Sequence, residues 1–339
     1  KLSHDDKSKQ KAIEERRLAL EKALERKFNR GTDEEYKAMF AIQTTYAIIV
    51  KSIALKVISN IYFNKSSNYN FYELALMNNE ALKLKMQSLE DGDLFKELGF
   101  TNLLEGDFFS WYSTDEQWND ENIYLNIKNI FMTLTKYEDK SIFTEIDEVH
   151  DLFKDLYMNI MPDKVRHSLG EFYTPQWLAD SVIDSALKNI QVKKWKGLDP
   201  CGGSGTFVTS MIAKIINEFD IKDDKVSKQK ILSEVLSRVK AIDLNPLAVL
   251  TLRVNYFINI SSLIDENTEG IEIPVYLGDS AAVPESVVIE GIECINYTIK
   301  TLKRDIEVTL PVSALTDINR FSYIMNSIEF DVKCGDYER

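Results

Sequence analysis

Polar and apolar residues alternate with a helical period at the start of the chain. Between residues 7 and 28, Ile13, Leu20, Leu24 and Phe28 recur on one stripe among charged residues. This spacing predicts an amphipathic helix. Two interpretations of this helix stay open: a surface helix that packs by one face, or a basic arm that contacts a partner or DNA.

A second, longer helix is expected to follow. Thr32 and Glu35 have the spacing of a capping box, so this helix should run from about residue 33 to residue 63. Its most apolar stretch, residues 38–62, is interrupted by polar side chains, which favours a buried helix over a membrane span. Similar patterns predict three more helices, over residues 72–89, 123–135 and 146–161.

Aromatic residues are concentrated just before residue 113. Phe108, Phe109, Trp111 and Tyr112 lie within five positions. Such a cluster is typical of a hydrophobic core or a domain contact, and it is also suited to stacking on nucleic-acid bases. Both interpretations stay open on the sequence alone.

The pattern changes near residue 165, where short apolar runs begin to alternate with helical stretches. Strands are expected at 196–199, 239–243 and 275–277, with helices over 203–218 and 246–257 between them. This βαβαβ alternation predicts a parallel, doubly wound sheet. Residues 286–310 are β-rich and break the rhythm, which indicates an insertion or a flanking hairpin.

Composition narrows the class of protein. The 339 residues suggest two domains, and 44% hydrophobic with 28% charged residues excludes disorder over the whole chain. Three cysteines without a CxxC pair, and three histidines without metal-binding spacing, argue against a disulfide framework and a zinc site. No signal-peptide pattern is present, so we expect a cytoplasmic protein without a membrane partner.

The charge balance limits how the chain can bind nucleic acid. The net charge of −13 argues against a surface that coats DNA with Lys and Arg contacts. The first thirty residues differ, with ten Lys and Arg against six Asp and Glu. A DNA enzyme whose basic surface lies on a separate module is still compatible with this composition.

The strongest chemical signal is the stretch from Leu198 to Phe207, which reads Leu-Asp-Pro-Cys-Gly-Gly-Ser-Gly-Thr-Phe. It combines a strand end, an acidic residue, a glycine-rich turn and a helix start. Glycines allow a close ligand approach, and a helix N-terminus offers N–H groups to an anion. Neither the P-loop nor the dinucleotide-binding fingerprint matches this spacing.

Two further acidic residues end the next two strands. Asp243 follows the second strand, where a carboxylate can accept hydrogen bonds from ribose hydroxyls, and Asp279 follows the third. Leu244 and Leu277 suit either the two faces of an adenine ring or simple packing at the strand ends. Ligands of open α/β sheets bind in the crevice at these carboxyl ends.

Together with Gly170-Glu171-Phe172-Tyr173-Thr174-Pro175, these segments resemble S-adenosylmethionine-dependent DNA adenine-N6 methyltransferases, in particular type I modification subunits and fused type II restriction–modification enzymes. The resemblance covers about residues 150–282. Cys201-Gly202-Gly203 departs from the family's more frequent Ala-Cys-Gly. The implied cofactor is S-adenosylmethionine, bound by Phe172, Tyr173, Thr174, Pro175, Asp199, Pro200, Cys201, Gly202, Gly203, Ser204, Gly205, Asp243, Leu244 and Asp279.

The resemblance assigns roles within this set. The segment from Phe172 to Pro175 covers the methionine end of the cofactor, Asp243 binds the ribose, and Asp279 binds the adenine. The implied fold is an α-helical N-terminal domain (1–149), an α/β Rossmann-like methyltransferase core with a partial doubly wound parallel sheet (150–285), and a β-rich insertion or truncated continuation (286–339).

The family's catalytic motif, Asn/Asp-Pro-Pro-aromatic, does not occur in this chain. None of the seven prolines is followed by a second proline, and Pro246, which follows Asn245, precedes Leu247. We therefore expect no catalytic residues here and no activity of the chain alone. The chain is either a fragment that ends before the motif or a degenerate methyltransferase fold that serves as a scaffold or cofactor-binding subunit.

The expected function is the methylase part of a restriction–modification or related phage-defence enzyme, with methyl transfer from S-adenosylmethionine to adenine in DNA. The expected partners are double-stranded DNA in the full-length protein, together with a specificity domain or subunit and a nuclease domain or subunit. A methyltransferase that acts on RNA, protein or a small molecule is the remaining alternative.

Overall fold

A computed structural model defines the secondary structure and packing of most of the chain. It describes residues 4–29, 32–61, 70–104, 107–118, 121–137, 152–168, 171–190, 192, 194–219, 227–264, 268, 270–282, 284–299, 306–316, 323 and 327. Internal contacts divide the chain into two units, Lys1–Gly278 and Asp279–Arg339. The expected domain boundary at 149/150 lies outside the described residues, and the unit boundary precedes the expected one at 285/286.

The first part of unit one is helical. Its helices are α1 His4–Ala23, α2 Glu34–Ile61, α3 Phe71–Leu74, α4 Asn79–Glu90, α5 Asp93–Lys96, α6 Asp115–Trp118, α7 Glu121–Leu134, α8 Leu152–Ile160 and α9 Asp163–Ser168. The single helix expected over 72–89 is split, because the Asn78 side chain accepts the Ala81 N–H at 2.9 Å and starts a new helix. Residues 146–151 of another expected helix lie outside the described range.

Helix α1 ends five residues before its expected end. The chain turns at Glu25, which has a positive φ of 50°. Leu20 and Phe28 are buried, but Ile13 and Leu24 are exposed, so the expected apolar stripe is only partly covered. Within α1, packing by one face therefore holds for Leu20, and Phe28 is buried beyond the end of the helix.

Helix α2 starts without the reciprocal capping box that the sequence suggested. Thr32 Oγ1 accepts the Glu34 N–H at 3.4 Å, but the Glu35 carboxylate receives the Arg16 guanidinium at 2.6 Å. Glu35, the side chain that a capping box would use, instead forms an ion pair with Arg16 of α1. Glu34 instead accepts hydrogen bonds from the backbone and side chain of Asn29.

Helix α2 is the core helix of the N-terminal part. It is long and apolar enough to cross a membrane, but 56% of its most apolar 18-residue stretch is buried inside the protein. It packs against α7, α8 and the later helix Pro246–Ile260. Burial by these neighbours accounts for its apolar character.

The aromatic cluster before residue 113 divides between core and surface. Phe109 and Tyr112 are buried, whereas Phe108 and Trp111 are exposed. Trp111 is fixed by a hydrogen bond from its indole N–H to Thr44 Oγ1 at 2.9 Å. The core interpretation is confirmed for Phe109 and Tyr112, and base stacking by the exposed pair stays a prediction.

The second part of unit one contains a parallel three-stranded sheet with strand order β1-β2-β3. The elements are α10 Gln176–Asn189, β1 Gly197–Asp199, α11 Thr206–Asn217, α12 Lys228–Arg238, β2 Val239–Asp243, α13 Pro246–Ile260 and β3 Val275–Leu277. The three expected strands and two expected helices are confirmed. Helices α10 and α12 were not predicted.

Helices α11 and α13 pack on the same face of this sheet. Gly197 approaches Met211 of α11, and Gly202 just beyond β1 approaches Leu252 of α13 and Ala241 of β2. The opposite face carries the exposed side chains of Leu198, Lys240 and Tyr276. Helices on the second face, which a doubly wound sheet requires, stay a prediction.

The helical part and the sheet share one unit through direct backbone pairing. Residue Phe100 forms a parallel bridge with Ile271, just before β3. Asn102 donates to the Ile273 carbonyl at 2.8 Å and accepts the Ile273 N–H at 2.7 Å. These contacts fix the helical segment at the β3 edge of the sheet.

The second unit contains an antiparallel sheet with strand order β4-β5-β6. Its elements are β4 Glu285–Ile289, β5 Ile292–Ile299, β6 Ile306–Pro311 and α14 Val312–Thr316. Glu290 and Gly291 both have positive φ, as a tight hairpin turn requires. Cys334 and the rest of 328–339 lie outside the described residues.

Candidate functional site

The glycine-rich turn joins β1 to α11 and is held tightly against α13. A Cβ at Gly202 would collide with the Leu252 side chain and meet the Ala241 Cβ at 3.4 Å. Gly205, the residue that precedes α11, has φ +108° and also approaches Leu252. Glycine is required at both positions because a side chain would push the turn away from the helix.

Asp243 connects this turn to the end of β2. The Gly203 N–H donates to one Asp243 carboxylate oxygen at 2.8 Å, and the Asn245 N–H donates to the other at 2.8 Å. A third bond runs from the Gly202 N–H to the Ile242 carbonyl at 3.0 Å. The two segments singled out in the sequence are therefore fixed to each other by their backbone amides.

Asp199, at the end of β1, is a second carboxylate of this site. It accepts the Cys201 N–H at 3.1 Å. Burial raises the pKa of Asp199 above its ordinary value, the Cys201 hydrogen bond opposes the rise, and the nearby Asp243 carboxylate adds to it.

The segment from Glu171 to Pro175 supplies the third carboxylate. Glu171 accepts the Tyr157 hydroxyl at 2.9 Å and the Asn245 side-chain amide at 3.2 Å. Burial raises the pKa of Glu171, the Tyr157 hydrogen bond and the Arg166 charge lower it, and Asp243 raises it further. Glu171 thus links α8 to the N-terminus of α13.

The backbone and rings of this segment are positioned by neighbouring helices. Lys154 of α8 donates to the Thr174 carbonyl at 2.7 Å. The Tyr173 ring lies 6.0 Å from the Tyr157 ring, and the Arg166 guanidinium lies 5.8 Å from the Tyr173 centroid. Gly170, which opens the family-like motif, lies outside the described residues.

These segments surround a cavity of about 820 Å³ in the first unit. This volume lies within the range of small-molecule and cofactor sites. Of the residues predicted from the sequence, the structure places at this cavity Phe172, Tyr173, Thr174, Asp199, Cys201, Gly202, Gly203, Ser204, Asp243 and Leu244.

Three of the other four predicted residues lie beside the cavity segments without lining the cavity. Pro175 and Gly205 are the residues that precede α10 and α11, and Pro200 lies in the turn after β1. Asp279 is the first residue of the second unit, where its carboxylate accepts the Ala281 N–H at 2.9 Å.

Sequence reasoning missed the contribution of the helical part to the cavity. Met39, Gln43 and Tyr46 of α2 line it, together with Tyr157 of α8 and Asn245. The α2 residues carry no local signal, because their spacing is that of any buried helix face. Glu171 is part of the Gly170–Pro175 motif but was not assigned a role. Its position at the cavity and its hydrogen bonds with Tyr157 and Asn245 indicate that it belongs to the site.

Charge defines what the cavity can accept. Glu171, Asp199 and Asp243 all line it, and burial disfavours the ionised forms of the first two. A ligand with positive charge would offset that cost. Within the described ranges, no group of three His, Cys, Asp or Glu residues is arranged to hold a metal ion.

Comparisons with known proteins give only distant likenesses. No protein-family model and no curated protein matches the chain. The cryo-EM structure of a DrdV–DNA complex is similar with a TM-score of 0.31 and 16% identity, over 80% of this chain and 25% of that one.

A nuclease-deletion mutant of the Type ISP restriction-modification enzyme LlaGI, in complex with a DNA substrate mimic, is similar with a TM-score of 0.26 and 14% identity. The match covers 68% of this chain and 25% of that one, so the chain spans about a quarter of the length of each structure. Likeness of this degree carries no information on function.

Proposed function

We propose that this chain is the cofactor-binding part of an S-adenosylmethionine-dependent DNA adenine-N6 methyltransferase of a restriction–modification or related phage-defence system. The observation that carries the proposal is the hydrogen bond from the Gly203 N–H to Asp243 at 2.8 Å. It joins two family-like motifs beside a cavity that the third, Phe172 to Thr174, also lines.

The residues of the cavity fit the parts of this cofactor. The Asp243 oxygens each keep a lone pair for a ribose hydroxyl after accepting one backbone amide. The turn is open at Gly203, which lines the cavity, because a Cβ there would meet no atom within 4 Å. Glu171, Asp199 and Asp243 would complement the sulfonium and ammonium charges, and the N-terminus of α11 would favour the carboxylate.

When bound, the cofactor supplies an electrophilic methyl group. The residues of this chain would bind and orient it: Asp243 through the ribose, and the turn from Cys201 to Ser204 through backbone groups. Phe172 to Thr174 would exclude water from the methionine end. The assignment of DNA adenine as acceptor and of a restriction–modification context rests on the sequence motifs.

Binding of the cofactor is the first test. We expect calorimetric titration of the chain to give saturable binding of S-adenosylmethionine and S-adenosylhomocysteine. ATP and NAD serve as controls, because the turn lacks the lysine of a P-loop and the spacing of a dinucleotide fingerprint. Equal binding of all four ligands, or none, would contradict the proposal.

Methyl transfer is the second test. We expect no radiolabel transfer from the cofactor to mixed-sequence duplex DNA by this chain alone, because no Asn/Asp-Pro-Pro-aromatic segment occurs in it. Such a segment accepts the adenine amino protons and stacks the flipped base. Robust methylation by the chain alone would show that the catalytic residues were overlooked.

Because this sequence contains no Asn/Asp-Pro-Pro-aromatic segment, a second candidate function is a cofactor-binding scaffold without catalysis. The two candidates differ in cells. If host DNA contains N6-methyladenine that requires the intact gene and is lost in an Asp243→Asn allele, the result supports the methyltransferase. If the gene acts in cells without any such methylation, the result supports the scaffold.

A further inference from the structure

Helix α2 forms a wall of the cavity that the cofactor motifs do not supply. Met39, Gln43 and Tyr46 follow one another at steps of four and three residues, so they lie on one face of α2, and all three line the cavity. The cavity therefore extends from the glycine-rich turn to the helical part of the unit.

Gln43 is the polar group of this wall that is not engaged by the protein. Neighbouring polar side chains have partners: the Tyr46 hydroxyl donates to the Phe153 carbonyl at 3.2 Å, and Thr251 Oγ1 donates to the Leu247 carbonyl at 2.7 Å. Among the described residues, nothing hydrogen-bonds the Gln43 side chain. Its amide offers two donors and an acceptor to a ligand.

Phe172 adds an aromatic surface to the same cavity. Its ring is 74% exposed, although it lines the cavity. One support is His167, whose ring is stacked on it at 5.1 Å with an interplanar angle of 17°. An exposed ring held in this way is suited to stack on a flat heterocycle.

We propose that Gln43 and Phe172 form a subsite for the acceptor adenine base, next to the cofactor. This inference rests on the proposed function. A glutamine amide pairs with adenine by donating to N7 and accepting from the N6 amino group. One N6 hydrogen would remain free, and Phe172 would stack on the ring in addition to bordering the methionine end of the cofactor.

The test uses the full chain with saturating S-adenosylhomocysteine, which fills the cofactor's own adenine site. Adenosine and inosine are then titrated by ligand-observed NMR. We expect adenosine to bind with a dissociation constant on the order of 1 mM. Inosine should bind about tenfold more weakly, because its O6 cannot donate to the Gln43 carbonyl.

Two variants separate the two contacts. Gln43→Ala should abolish the preference for adenosine and leave S-adenosylhomocysteine affinity unchanged. Phe172→Ala should weaken both nucleosides about equally, by about tenfold. Gln117→Ala and Tyr137→Ala are the matched controls, since both residues are exposed and neither lines the cavity, and neither should change binding.

Three results would overturn the subsite. The wild-type complex could fail to bind adenosine or to distinguish it from inosine. Gln43→Ala could keep the preference. Gln43→Ala could also weaken S-adenosylhomocysteine itself, which would assign the α2 wall to the cofactor. Failure of the wild-type chain to bind S-adenosylhomocysteine is a separate result that rejects the proposed function and the subsite with it.

Discussion

Asp243 is the residue on which the proposed site depends most. Both of its carboxylate oxygens accept a backbone N–H, one from the glycine-rich turn and one from Asn245. The side chain therefore does two things: it fixes the turn against β2, and it keeps acceptor capacity for ribose hydroxyls. A variant at this position has to be examined for both.

We expect Asp243→Asn to weaken S-adenosylmethionine binding by about 1.5 to 3 kcal/mol, the range for a hydrogen bond to a charged group. The amide replaces one acceptor by a donor, so one backbone N–H or ribose hydroxyl loses its partner. Titration calorimetry measures the change, and circular dichroism checks folding.

Asp184→Asn is the matched control for this variant. Asp184 lies on α10, forms an ion pair with Lys214 of α11 and does not line the cavity. Its affinity should equal that of the wild type. Unchanged affinity in Asp243→Asn would mean that Asp243 only holds the turn.

Glu171 should make stability depend on pH. Its pKa is raised in the folded state, mainly by burial, so the native protein holds this proton more tightly than the unfolded chain. Its contribution to the free energy of unfolding is present at low pH and falls as pH rises from the ordinary value of 4.5 through the raised pKa.

Denaturant unfolding of wild type and Glu171→Gln at several pH values between about 4 and 7 measures this contribution. The wild type should lose stability relative to the variant as pH rises. A constant difference across this range, or the opposite sign, would contradict the raised pKa.

Residues of the site differed in how visible they were in the sequence. Asp199 and Asp243 could be predicted because each is the last residue of a strand, and the carboxyl ends of parallel strands meet at one sheet edge. Gln43 could not, because its position at the cavity is fixed by the packing of α2 on α13, which no local pattern encodes.

At the scale of elements, helix α2 is connected to α4 by a buried ion pair. Lys51 of α2 contacts Glu90 of α4, and the Tyr112 hydroxyl donates to the other oxygen of Glu90 at 2.5 Å. The Lys51 and Glu90 side chains are 5% and 2% exposed. This network fixes how the helices of the N-terminal part meet.

Lys51→Met should destabilise the protein by about 3 to 5 kcal/mol, because it leaves the Glu90 charge buried without its cation. Guanidinium unfolding monitored by tryptophan fluorescence gives the value. The double variant Lys51→Met/Glu90→Gln should recover part of the loss, because no charge then remains buried. A single variant with wild-type stability would show that the pair is not desolvated.

Helix periodicity predicted the existence of these elements better than their ends. The expected helix over 72–89 is interrupted because Asn78 caps a new helix, an effect of one side chain that the apolar pattern does not show. The Thr32–Glu35 pattern failed as a capping box because Arg16, distant in sequence, binds Glu35. A local cap decided the first case, and a partner distant in sequence decided the second.

Over the whole molecule, the charge balance disfavours contact with the DNA phosphate backbone. The chain carries a net charge of −13, and the basic start of the sequence is partly neutralised. Arg16 is paired with Glu35, and Arg17 with Glu14 and Glu21. Lys22 and Lys27 are exposed near the end of α1.

We expect weak binding to duplex DNA at low salt that disappears near an ionic strength of about 0.15 M, because few phosphates are neutralised. An electrophoretic shift series over salt concentration measures it. Lys22→Glu/Lys27→Glu should abolish the residual shift. Tight, sequence-specific binding in physiological salt would place base recognition within this chain.

The order of strands and helices in the second half of unit one was predictable, because parallel strands and their crossovers leave an alternating pattern. Helices α10 and α12 escaped prediction, since their exposed faces interrupt the apolar period. The packing of the helical part beside β3 could not be foreseen, because the Phe100–Ile271 bridge and the Asn102 side chain connect segments that are far apart in the sequence.

We propose that the glycine-rich turn, Asp243 and the segment from Phe172 to Thr174 form one cofactor site. Hydrogen–deuterium exchange with and without saturating S-adenosylhomocysteine tests it most directly. We predict slower exchange over residues 171–175, 201–207 and 243–248, with α1 and α4 unchanged. If exchange in these three segments is unaltered, or is slowed only elsewhere, the proposed cofactor site is wrong.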